Sequence, residues 1–376
     1  MDFNRYFKSR QGEMINLLKK IVAIESPTSD KKAVDVCSAF VVNEFKRTGA
    51  KLTRFPQRDI GDLHLIEYAP GGLKKEPEQI LVLTHLDTVW PVGKIDKMPF
   101  YISGDKIFGP GALDMKAGVV MTVFALCTLH HLNIMPHKRI AIFVNSAEET
   151  GHEAAHALIK DLARKSTLVL CMEPALPGGA LKLERKGRLV VRLEVRGKAA
   201  HAGTPEKGIN AVEELVTQIG RLNKLRTGET TVNVGRIAGG EKANVVPEEA
   251  WAVLDIRFWK TADKERVRAH FRGMKPVLRG ARVKAVIESL TPPMEKTKAS
   301  SELFARAGEI ASSLGLPLKG GKTGGGSDAS IASSLGLPTL DGLGPDGEGL
   351  HAEHEHLLLP SFVERTALLT ELLARL

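Results

Sequence analysis

Three short apolar segments, each followed at once by acidic or imidazole side chains, constrain the fold of this chain most strongly. They are ILVLTHLD at 80–87, IAIFVNSAEE at 140–149 and TLVLCMEP at 167–174. Unbroken apolar runs of this length indicate strands that are buried on both faces of a sheet. Because helical periodicity lies between them, we predict an α/β fold with a mostly parallel sheet and helices on both faces.

The pattern changes in the middle of the chain. Residues 189–195 alternate between apolar and polar, and strand-like and helical segments continue to about residue 287, which is typical of a smaller α+β unit. Helical and strand signals return after Pro292. The 376 residues also exceed what one core usually holds. We therefore predict a discontinuous first domain, 1–181 and 292–376, with a second domain, 182–291, inserted into it.

The composition indicates a protein that folds in water and acts in the cytoplasm. We find no apolar run of the roughly 18 residues that a membrane span needs, and the amphipathic N-terminal segment does not resemble a signal peptide. Cys37, Cys127 and Cys171 lie far apart in apolar stretches, as expected of buried thiols in a reducing compartment. The net charge of +9 comes from scattered basic residues without an aromatic-rich stripe, so we expect no nucleic-acid partner and no membrane partner.

Acidic and imidazole side chains gather where the predicted strands end, and open α/β sheets bind ligands there. The residues are His85 and Asp87 in THLDTVW, Asp114 in GPGALDMKAG, Glu148 and Glu149 in NSAEET, Glu173 in MEP, and His351 in HAEHEH. Converging carboxylates would repel and desolvate one another unless cations compensated them. A metal site is therefore predicted, although each residue taken alone also fits a structural histidine or a solvated turn.

Two other motifs suggest different chemistry. HEAAH at 152–156 matches the H-E-x-x-H pattern of helical zinc sites, but a third ligand on a later helix is missing from the pattern. The stretch before Gly321, Lys322 and Thr323 evokes a phosphate-binding loop, yet Leu316 stands where that motif requires glycine. We expect neither a zincin nor a nucleotide site.

Eight motifs occur in an order typical of one known family. They are HLDTV, GPGxxDMKAG, NSxEExG, MEP, GKAxHAGxPExGxNA, ANVVP with DIRF, TGGGSDA and a closing G-x-H. Together they resemble the zinc-dependent aminoacylase and carboxypeptidase superfamily of metallopeptidases, and above all the bacterial glutamate carboxypeptidases of the carboxypeptidase G type. The resemblance implies a catalytic di-zinc domain over 1–181 and 292–376, and a dimerisation or lid domain over 182–291.

The same resemblance implies the metal ligands. Asp114 would bridge two zinc ions, one of which is also held by His85 and Glu173, and the other by Glu149 and His351. A cis peptide bond would follow Asp114. Co²⁺ or Mn²⁺ could occupy the same ligand set.

The resemblance also implies roles for catalytic residues and for substrate-binding residues. Glu148 would be the general base, Asp87 would orient the His85 ring, and His201 would stabilise the oxyanion from the partner subunit of a homodimer. The substrate contacts would come from Arg257, Asn244, Gly325, Gly326 and Ser327.

The implied activity is hydrolysis of an amide bond next to a free-carboxylate amino acid. The implied substrates are small molecules with a C-terminal glutamate or a related residue. Deacylation of N-acyl amino acids and cleavage of dipeptides or glutamyl amides are alternatives on the same scaffold. A metal-binding protein without catalytic activity is the alternative from another class. The presence of Glu148, which turnover requires and metal binding does not, argues against that alternative.

Overall fold

The computed structural model describes residues 1–69, 71 and 78–376, and the chain divides into two compact units. The large unit comprises Met1–Leu183, Lys296–Thr323 and Ser327–Leu376. The small unit comprises Glu184–Glu295 and Gly324–Gly326. Most of the small unit is therefore one insertion in the sequence of the large unit.

The helices follow the amphipathic segments of the sequence. Within the described residues the α-helices are α1 (Phe3–Ser9), α2 (Gln11–Ala23), α3 (Lys31–Phe45), α4 (Ala117–His131), α5 (Glu153–Arg164), α6 (Ala211–Arg221), α7 (Thr261–Arg272), α8 (Lys298–Ser313), α9 (Asp328–Ser333) and α10 (Leu359–Arg375). A π-helical turn, Ala112–Lys116, precedes α4, and Asp114 and Met115 within it have non-helical backbone angles. Side-chain caps fix several N-termini: Asp30 accepts the backbone N–H of Ala33 at the start of α3, as N-caps commonly do.

The strands include several short edge segments besides the apolar runs. In the described part of the chain they are β1 (Lys51–Phe55), β2 (Leu63–Tyr68), β3 (Gln79–His85), β4 (Tyr101–Ser103), β5 (Lys106–Phe108), β6 (Arg139–Asn145), β7 (Leu168–Cys171), β8 (Leu181–Arg185), β9 (Gly187–Arg196), β10 (Ala200–His201), β11 (Thr230–Gly239), β12 (Val245–Val246), β13 (Glu249–Phe258), β14 (Arg282–Thr291), β15 (Gly320–Thr323), β16 (Thr339–Leu340), β17 (Gly347–Glu348) and β18 (His356–Leu358).

A six-stranded sheet forms the centre of the large unit, in the order β1-β2-β6-β3-β7-β16. β3 pairs in parallel with β6 and β7, and β16 pairs in parallel with β7, whereas β1 and β2 are antiparallel additions at one edge. Every residue of β3 is buried, as expected when helices cover both faces. The predicted α/β fold class is confirmed.

A second, antiparallel sheet of the large unit carries the C-terminal loop. Its order is β17-β18-β5-β4. The register of β18 on β5 pairs His356 with Phe108, so the segment that follows β17 lies beside the segment that follows β5. This pairing brings two loops together that are more than 200 positions apart in the sequence.

The main sheet of the small unit is antiparallel, in the order β11-β13-β9-β14, with α6 and α7 packed against it. Side chains of β9 and β13 alternate between buried and partly exposed, which is the pattern of a sheet with one covered face. Leu189, Leu254 and Phe258 belong to its apolar core. The unit is thus an α+β structure with a core of its own.

Among the described residues, one helical segment reaches the length of a membrane span. The segment Ala112–His131, which contains α4, is long and apolar enough to cross a membrane by length and composition alone. Its residues are almost all buried inside the large unit, and α4 packs against α10 and α2. Asp114 and Lys116 break its apolar sequence, so the uninterrupted apolar part stays shorter than a membrane span needs. A buried core helix accounts for this composition.

Candidate metal centre

His85 and Glu173 lie at the carboxyl ends of neighbouring parallel strands. His85 is the last residue of β3, and Glu173 follows β7 by two residues. Nε2 of His85 lies 3.4 Å from Oε1 of Glu173 and 3.4 Å from Oδ1 of Asp114, which the π-helical turn contributes. All three residues are buried. The sheet register thus brings one histidine and two carboxylates to the same place.

His351 and Glu149 form a second group around the other oxygen of Asp114. Nε2 of His351 lies 3.3 Å from Oδ2 of Asp114 and 3.3 Å from Oε2 of Glu149. His351 follows β17, has a left-handed backbone conformation with φ 59°, and leaves 52% of its side chain exposed. Asp114 therefore presents one carboxylate oxygen to each histidine. The peptide bond from Asp114 to Met115 is cis, as the resemblance implies.

The carboxylate of Asp87 holds the turn that carries Glu148 and Glu149. Its Oδ1 accepts the N–H of Glu148 and its Oδ2 accepts the N–H of Glu149, both at 3.1 Å, and Oδ2 also accepts the hydroxyl of Thr28 at 2.8 Å. Nδ1 of His85 lies 3.0 Å from the main-chain oxygen of Asp87 and 3.5 Å from its Oδ1. The expected contact from the ring to Asp87 is thus made mainly by the carbonyl.

A second set of side-chain hydrogen bonds, made by Asn145 and Asp328, supports the turn that carries Glu148 and Glu149. The side-chain oxygen of Asn145, at the end of β6, accepts the N–H groups of Ser146 and Ala147 at 2.8 and 3.0 Å. Its amide donates to Oδ2 of Asp328 at 2.7 Å. Burial raises the pKa of Asp328 to about 7. Glu148 therefore sits on a turn that is fixed by two separate side chains.

The electrostatics of the cluster favour bound positive charge. Burial alone would lower the pKa of His85, but Asp114, Asp87 and Glu173 raise it well above its ordinary value. Asp114 and Glu149 raise the pKa of His351 to about 10. Burial and the charge of Glu173 raise the pKa of Glu148 well above its ordinary range. Protons can compensate these carboxylates, and metal ions would compensate them in the same way.

The donor set fits divalent cations. Among the described residues, Nε2 of His85, Oδ1 of Asp114 and Oε1 of Glu149 are buried without a hydrogen-bond partner, which is rare for buried polar atoms. Ligand atoms of His85, Asp114 and Glu149 lie within 4.8 Å of one another, and so do those of His85, Glu148 and Glu173. Imidazole nitrogens and carboxylate oxygens are ligands that zinc commonly takes.

The HEAAH segment has a local structural role. His152 precedes α5 as its N-cap, and its Nδ1 accepts the N–H of Ala154 at 3.3 Å. His152 therefore lies outside the helix that carries His156, whereas the H-E-x-x-H arrangement needs both histidines on one helix. In HAEHEH, His354 is exposed and His356 is buried in β18 beside the ring of Phe108.

His201 ends β10 and Asn244 directly precedes β12, which pairs with β10 in the small unit; both side chains are exposed. Nδ1 of His201 accepts the N–H of Gly203 at 3.0 Å. The neutral ring therefore carries its proton on Nε2, which is left as a donor. The main-chain oxygen of Asn244 accepts the N–H of Ala202 at 3.0 Å.

Arg257 lies on β13 of the small unit and forms a bidentate pair with Asp255. Its Nε and Nη2 donate to the two oxygens of Asp255 at 2.7 and 3.2 Å, and Nη1 donates to the carbonyl of Gly324 at 3.3 Å. Arg188 donates to Asp255 from the adjacent strand at 2.8 Å. These contacts use three of the five N–H groups of Arg257 and leave one on each terminal nitrogen.

Arg185 supports the glycine-rich turn that contains Gly325 and Gly326. The carbonyls of Gly325 and Gly326 accept hydrogen bonds from Nη1 of Arg185 at 3.2 and 2.8 Å. Ser327 belongs to the large unit, where its hydroxyl donates to Asp341 at 2.8 Å and caps α9 by accepting the N–H of Ala329 at 3.2 Å. The hydroxyl of Ser327 is thus engaged in the structure of its own helix.

The sequence analysis missed Glu355, Asn145 and Asp328 as parts of this centre. Glu355 stands four residues after His351, inside a motif in which only the histidines were considered as ligands. Asn145 ends a predicted strand and Asp328 follows the glycine-rich turn, so their positions were visible. What the sequence could not supply was the pairing between them, because 183 positions separate the two residues.

The fold and the cluster together define a hydrolase of the metallopeptidase class, with its ligand side chains at the carboxyl edge of an α/β sheet. Residues 81–375 match the sequence profile of Peptidase family M20/M25/M40, and the chain belongs to this family. Carboxypeptidase G2 from Pseudomonas sp. is 28% identical over 355 residues, which cover 91% of this chain and 84% of that protein.

Solved structures of other members share the fold. Aminopeptidase PepT from Bacillus cereus superposes with a TM-score of 0.79 at 21% identity, covering 97% of this chain and 98% of that one. The M20 family metallo-carboxypeptidase Sso-CP2 from Sulfolobus solfataricus gives a TM-score of 0.73 at 17% identity, covering 96% and 98%. These relatives include both aminopeptidases and carboxypeptidases, so the family alone leaves the substrate undefined.

Proposed function

We propose that this chain is a two-zinc carboxypeptidase or amidohydrolase that cleaves the amide bond next to an amino acid with a free carboxylate, most characteristically a C-terminal glutamate. The proposal depends on the position of the Asp114 carboxylate between two histidines. Its Oδ1 faces His85 and its Oδ2 faces His351. The 28% identity to carboxypeptidase G2 supports the choice of substrate.

Two groups of residues would hold the cations. His85, Asp114 and Glu173 would bind one ion, while Asp114, Glu149 and His351 would bind the other. When bound, two divalent ions activate a water at neutral pH and polarise the scissile carbonyl. Zinc suits these nitrogen and oxygen ligands, and Co²⁺ or Mn²⁺ would be accepted by the same set.

Glu148 handles the proton in this proposal. It takes a proton from the attacking water and returns it to the nitrogen of the leaving amine as the amide bond breaks. Burial and the charge of Glu173 raise its pKa in the metal-free centre, and bound cations would favour the ionised carboxylate that accepts the proton. Asp87 positions the reaction by holding the N–H groups of Glu148 and Glu149.

The small unit would supply the remaining contacts. His201, with its proton on Nε2, donates to the developing oxyanion. The resemblance assigns this histidine to the partner subunit, so we propose a homodimer with the small unit as the dimerisation or lid domain. Arg257 binds the substrate carboxylate through its two remaining terminal N–H groups, and Asn244 with the turn at Gly325, Gly326 and Ser327 adds hydrogen bonds.

The decisive experiment combines metal analysis with a substrate panel. Purified protein is assayed for bound metal by mass spectrometry and for hydrolysis of N-benzoyl and N-acetyl derivatives of glutamate, aspartate and leucine, and of the dipeptides Ala-Glu and Ala-Leu. We expect two metal ions per chain and the highest kcat/KM for acyl-glutamate compounds. Glu148→Gln should retain both ions and lose turnover, because its carboxylate is needed only for proton transfer.

The alternatives make different predictions in the same panel. Preference for acetyl over benzoyl groups, whatever the amino acid, would favour a deacylase. Cleavage of dipeptides only would favour a dipeptidase, which needs a free amine in the substrate. Tight binding of two ions without hydrolysis of any compound would favour a metal-binding protein, and fewer than two ions would contradict the proposed centre.

A further inference from the structure

Glu355 is a buried carboxylate whose two oxygens accept four hydrogen bonds from two other loops. Oε1 accepts the N–H groups of Leu113 and Asp114 at 2.9 and 3.1 Å. Oε2 accepts the N–H of Gly111 at 3.0 Å and Nε1–H of Trp90 at 2.9 Å. Glu355 is only 1% exposed, so these contacts are shielded from water.

Three of the four donors belong to the loop that carries the shared aspartate. Gly111, Leu113 and Asp114 lie in the GPGALD segment at and before the π-helical turn. Asp114 itself is held by its backbone N–H, while its side chain faces the two histidines. Glu355 therefore fixes the main chain from which the bridging carboxylate projects.

Glu355 lies on the same short loop as His351. The loop from β17 to β18 contains both residues, and it is tied further by a hydrogen bond of 2.9 Å from the N–H of Glu355 to the carbonyl of Ala352. His351 itself is half exposed and has a left-handed backbone. Its distance from Asp114 therefore depends on how this loop is attached. Glu355 attaches the loop to the Asp114 segment through its buried carboxylate, whereas the ion pair of Glu353 with Lys94 ties the loop elsewhere.

The other metal position is built differently. His85 and Glu173 lie at or just beyond the ends of β3 and β7, whose parallel pairing fixes their spacing. Neither residue shares a loop with Glu355, and Nδ1 of His85 is held by Asp87. Loss of the Glu355 contacts should consequently disturb one position much more than the other.

We propose that Glu355 is a positioning residue that sets the separation of Asp114 and His351, and thereby the affinity of the ion held by Asp114, Glu149 and His351. This inference rests on the proposed two-metal function. It adds that Glu355 stabilises the loops of one metal position more than those of the other. Glu355 touches neither substrate nor metal in this role. It acts through the main chain of the aspartate loop.

Replacement by glutamine gives a sharp test, because both oxygens of Glu355 serve as acceptors. In Glu355→Gln the amide NH₂ must replace either Oε1, which faces two backbone N–H groups, or Oε2, which faces one backbone N–H and the indole N–H. In either orientation the NH₂ group, itself a donor, faces two N–H donors and cannot accept their hydrogen bonds. Glu355→Asp keeps the charge and both acceptors but withdraws them by one methylene group.

A matched control is available in the small unit. Glu214 is likewise buried, and its oxygens accept the N–H groups of Val277 and Leu278 and the side-chain amide of Gln218. Glu214→Gln therefore imposes the same kind of mismatch in a part of the chain that holds none of the proposed metal ligands. It separates general destabilisation from an effect on the metal centre.

The experiment is a titration of metal-free, full-length protein with Zn²⁺ in a chelator buffer, repeated with Co²⁺ to follow the visible absorption of each position. In Glu355→Gln one equivalent should bind about 10 to 100 times more weakly, as for other residues that orient metal ligands. The Co²⁺ spectrum should lose the same component that His351→Ala loses. Glu214→Gln should bind both equivalents like wild type, and Glu355→Asp should show a smaller loss than Glu355→Gln.

The inference is overturned if Glu355→Gln binds two ions with wild-type affinities, or if it weakens both positions equally. If Glu355→Gln does not fold, Glu355→Asp carries the test, and an unchanged second equivalent in that variant overturns the inference. A wild-type protein that binds fewer than two ions contradicts the proposed function instead. Circular dichroism of each variant establishes that the titrated protein is folded.

Discussion

The carboxylate of Asp87 accepts the backbone N–H of Glu148 at 3.1 Å, so a buried acid directly holds the residue that we assign as the general base. The same carboxylate accepts the N–H of Glu149 and the hydroxyl of Thr28, and Nδ1 of His85 lies close to the carbonyl of Asp87. Asp87 thus contacts the Glu149 ligand and the Glu148 base through its side chain, and the end of β3 through its carbonyl. The negative charge and acceptor capacity of the Asp87 carboxylate should therefore affect catalysis as much as its size does.

Asp87→Asn should lower kcat by about 10 to 100 times, the range found for residues that orient metal ligands. An amide NH₂ would face at least one of the three donors that now point at the carboxylate, so the turn at 148–149 must shift. The measurement is kcat together with metal content. Thr28→Val, which removes only one donor, is the matched control and should retain most activity; equal losses in both variants would contradict this view of Asp87.

Glu148→Gln should lower kcat by about 10² to 10⁴ times, the usual contribution of a positioned proton-transfer group. Metal content should stay at the wild-type value because Glu148 is not assigned as a ligand. Glu149→Gln provides the comparison, since it should weaken the ion held with His351 as well as reduce turnover. If Glu148→Gln loses metal and Glu149→Gln does not, the two assignments must be exchanged.

Much of the large unit followed from the sequence because its strands are buried on both faces. The apolar segments that begin at residues 80 and 140 became β3 and β6. The edge strands β1 and β2 were missed, since their pairing is antiparallel and lies outside the α/β alternation. Local pattern identifies a central strand well but carries little information about which strand lies beside it.

The residues of the candidate metal centre show the same contrast between local pattern, which the sequence reveals, and pairing, which it does not. The ends of the apolar runs pointed to His85, Glu148, Glu149 and Glu173, because parallel strands end at one edge of a sheet. Glu355 escaped attention since its function depends on the register of β18 against β5, which pairs segments far apart in the sequence. Residues that orient a site through the main chain leave no chemical signature in the sequence.

Because of Asp62, the free energy of unfolding should depend on pH in the acidic range. This carboxylate is 3% exposed and accepts hydrogen bonds from Lys31 at 2.7 Å and from the N–H of Gln57 at 2.9 Å, and it also binds Arg54. Burial would raise the pKa of Asp62, but these partners lower it from 3.8 to about 2. A lowered pKa stabilises the folded protein above pH 4, and the effect is lost as the pH falls toward 2.

The expected contribution is about 1 to 2 kcal/mol, after allowance for solvent screening of the exposed Arg54 side chain. Urea unfolding of wild type and Asp62→Asn should differ by this amount at pH 6, and the difference should shrink steadily below pH 4. Glu67→Gln removes the exposed pair with Lys51 and should change the free energy of unfolding by less than about 0.5 kcal/mol. A pH-independent difference for Asp62→Asn would contradict this account.

Arg257→Lys should raise KM for acyl-glutamate substrates by about 10 times or more, while kcat changes less. Lysine is a point charge and cannot replace the paired N–H groups that match a carboxylate. Arg188→Lys is the control, because Arg188 shares Asp255 with Arg257 but is not assigned to the substrate. Equal increases in KM for both variants would mean that the Asp255 pair, and not substrate binding, explains the effect.

Gly344→Ala should destabilise the protein and weaken metal binding together. The N–H of Gly344 donates to the carbonyl of Glu173 at 2.8 Å, and a Cβ atom at this position would lie against the carbonyl oxygens of Met172 and Glu173. The main chain that carries the Glu173 ligand must then move. We expect a loss of about 1 to 3 kcal/mol in the free energy of unfolding, as for other overpacked sites.

Gly308→Ala is the matched control, because it lies in α8 and a Cβ atom there meets nothing within 4 Å. That substitution should stabilise the protein by about 0.5 to 1 kcal/mol through helix propensity and leave Zn²⁺ affinity unchanged. Urea unfolding and a Zn²⁺ titration on both variants make the comparison. Since Glu173 belongs to the group with His85, Gly344→Ala should weaken mainly the ion that Glu355→Gln affects less. Loss of the other ion alone would refute the assignment of ligands to the two positions.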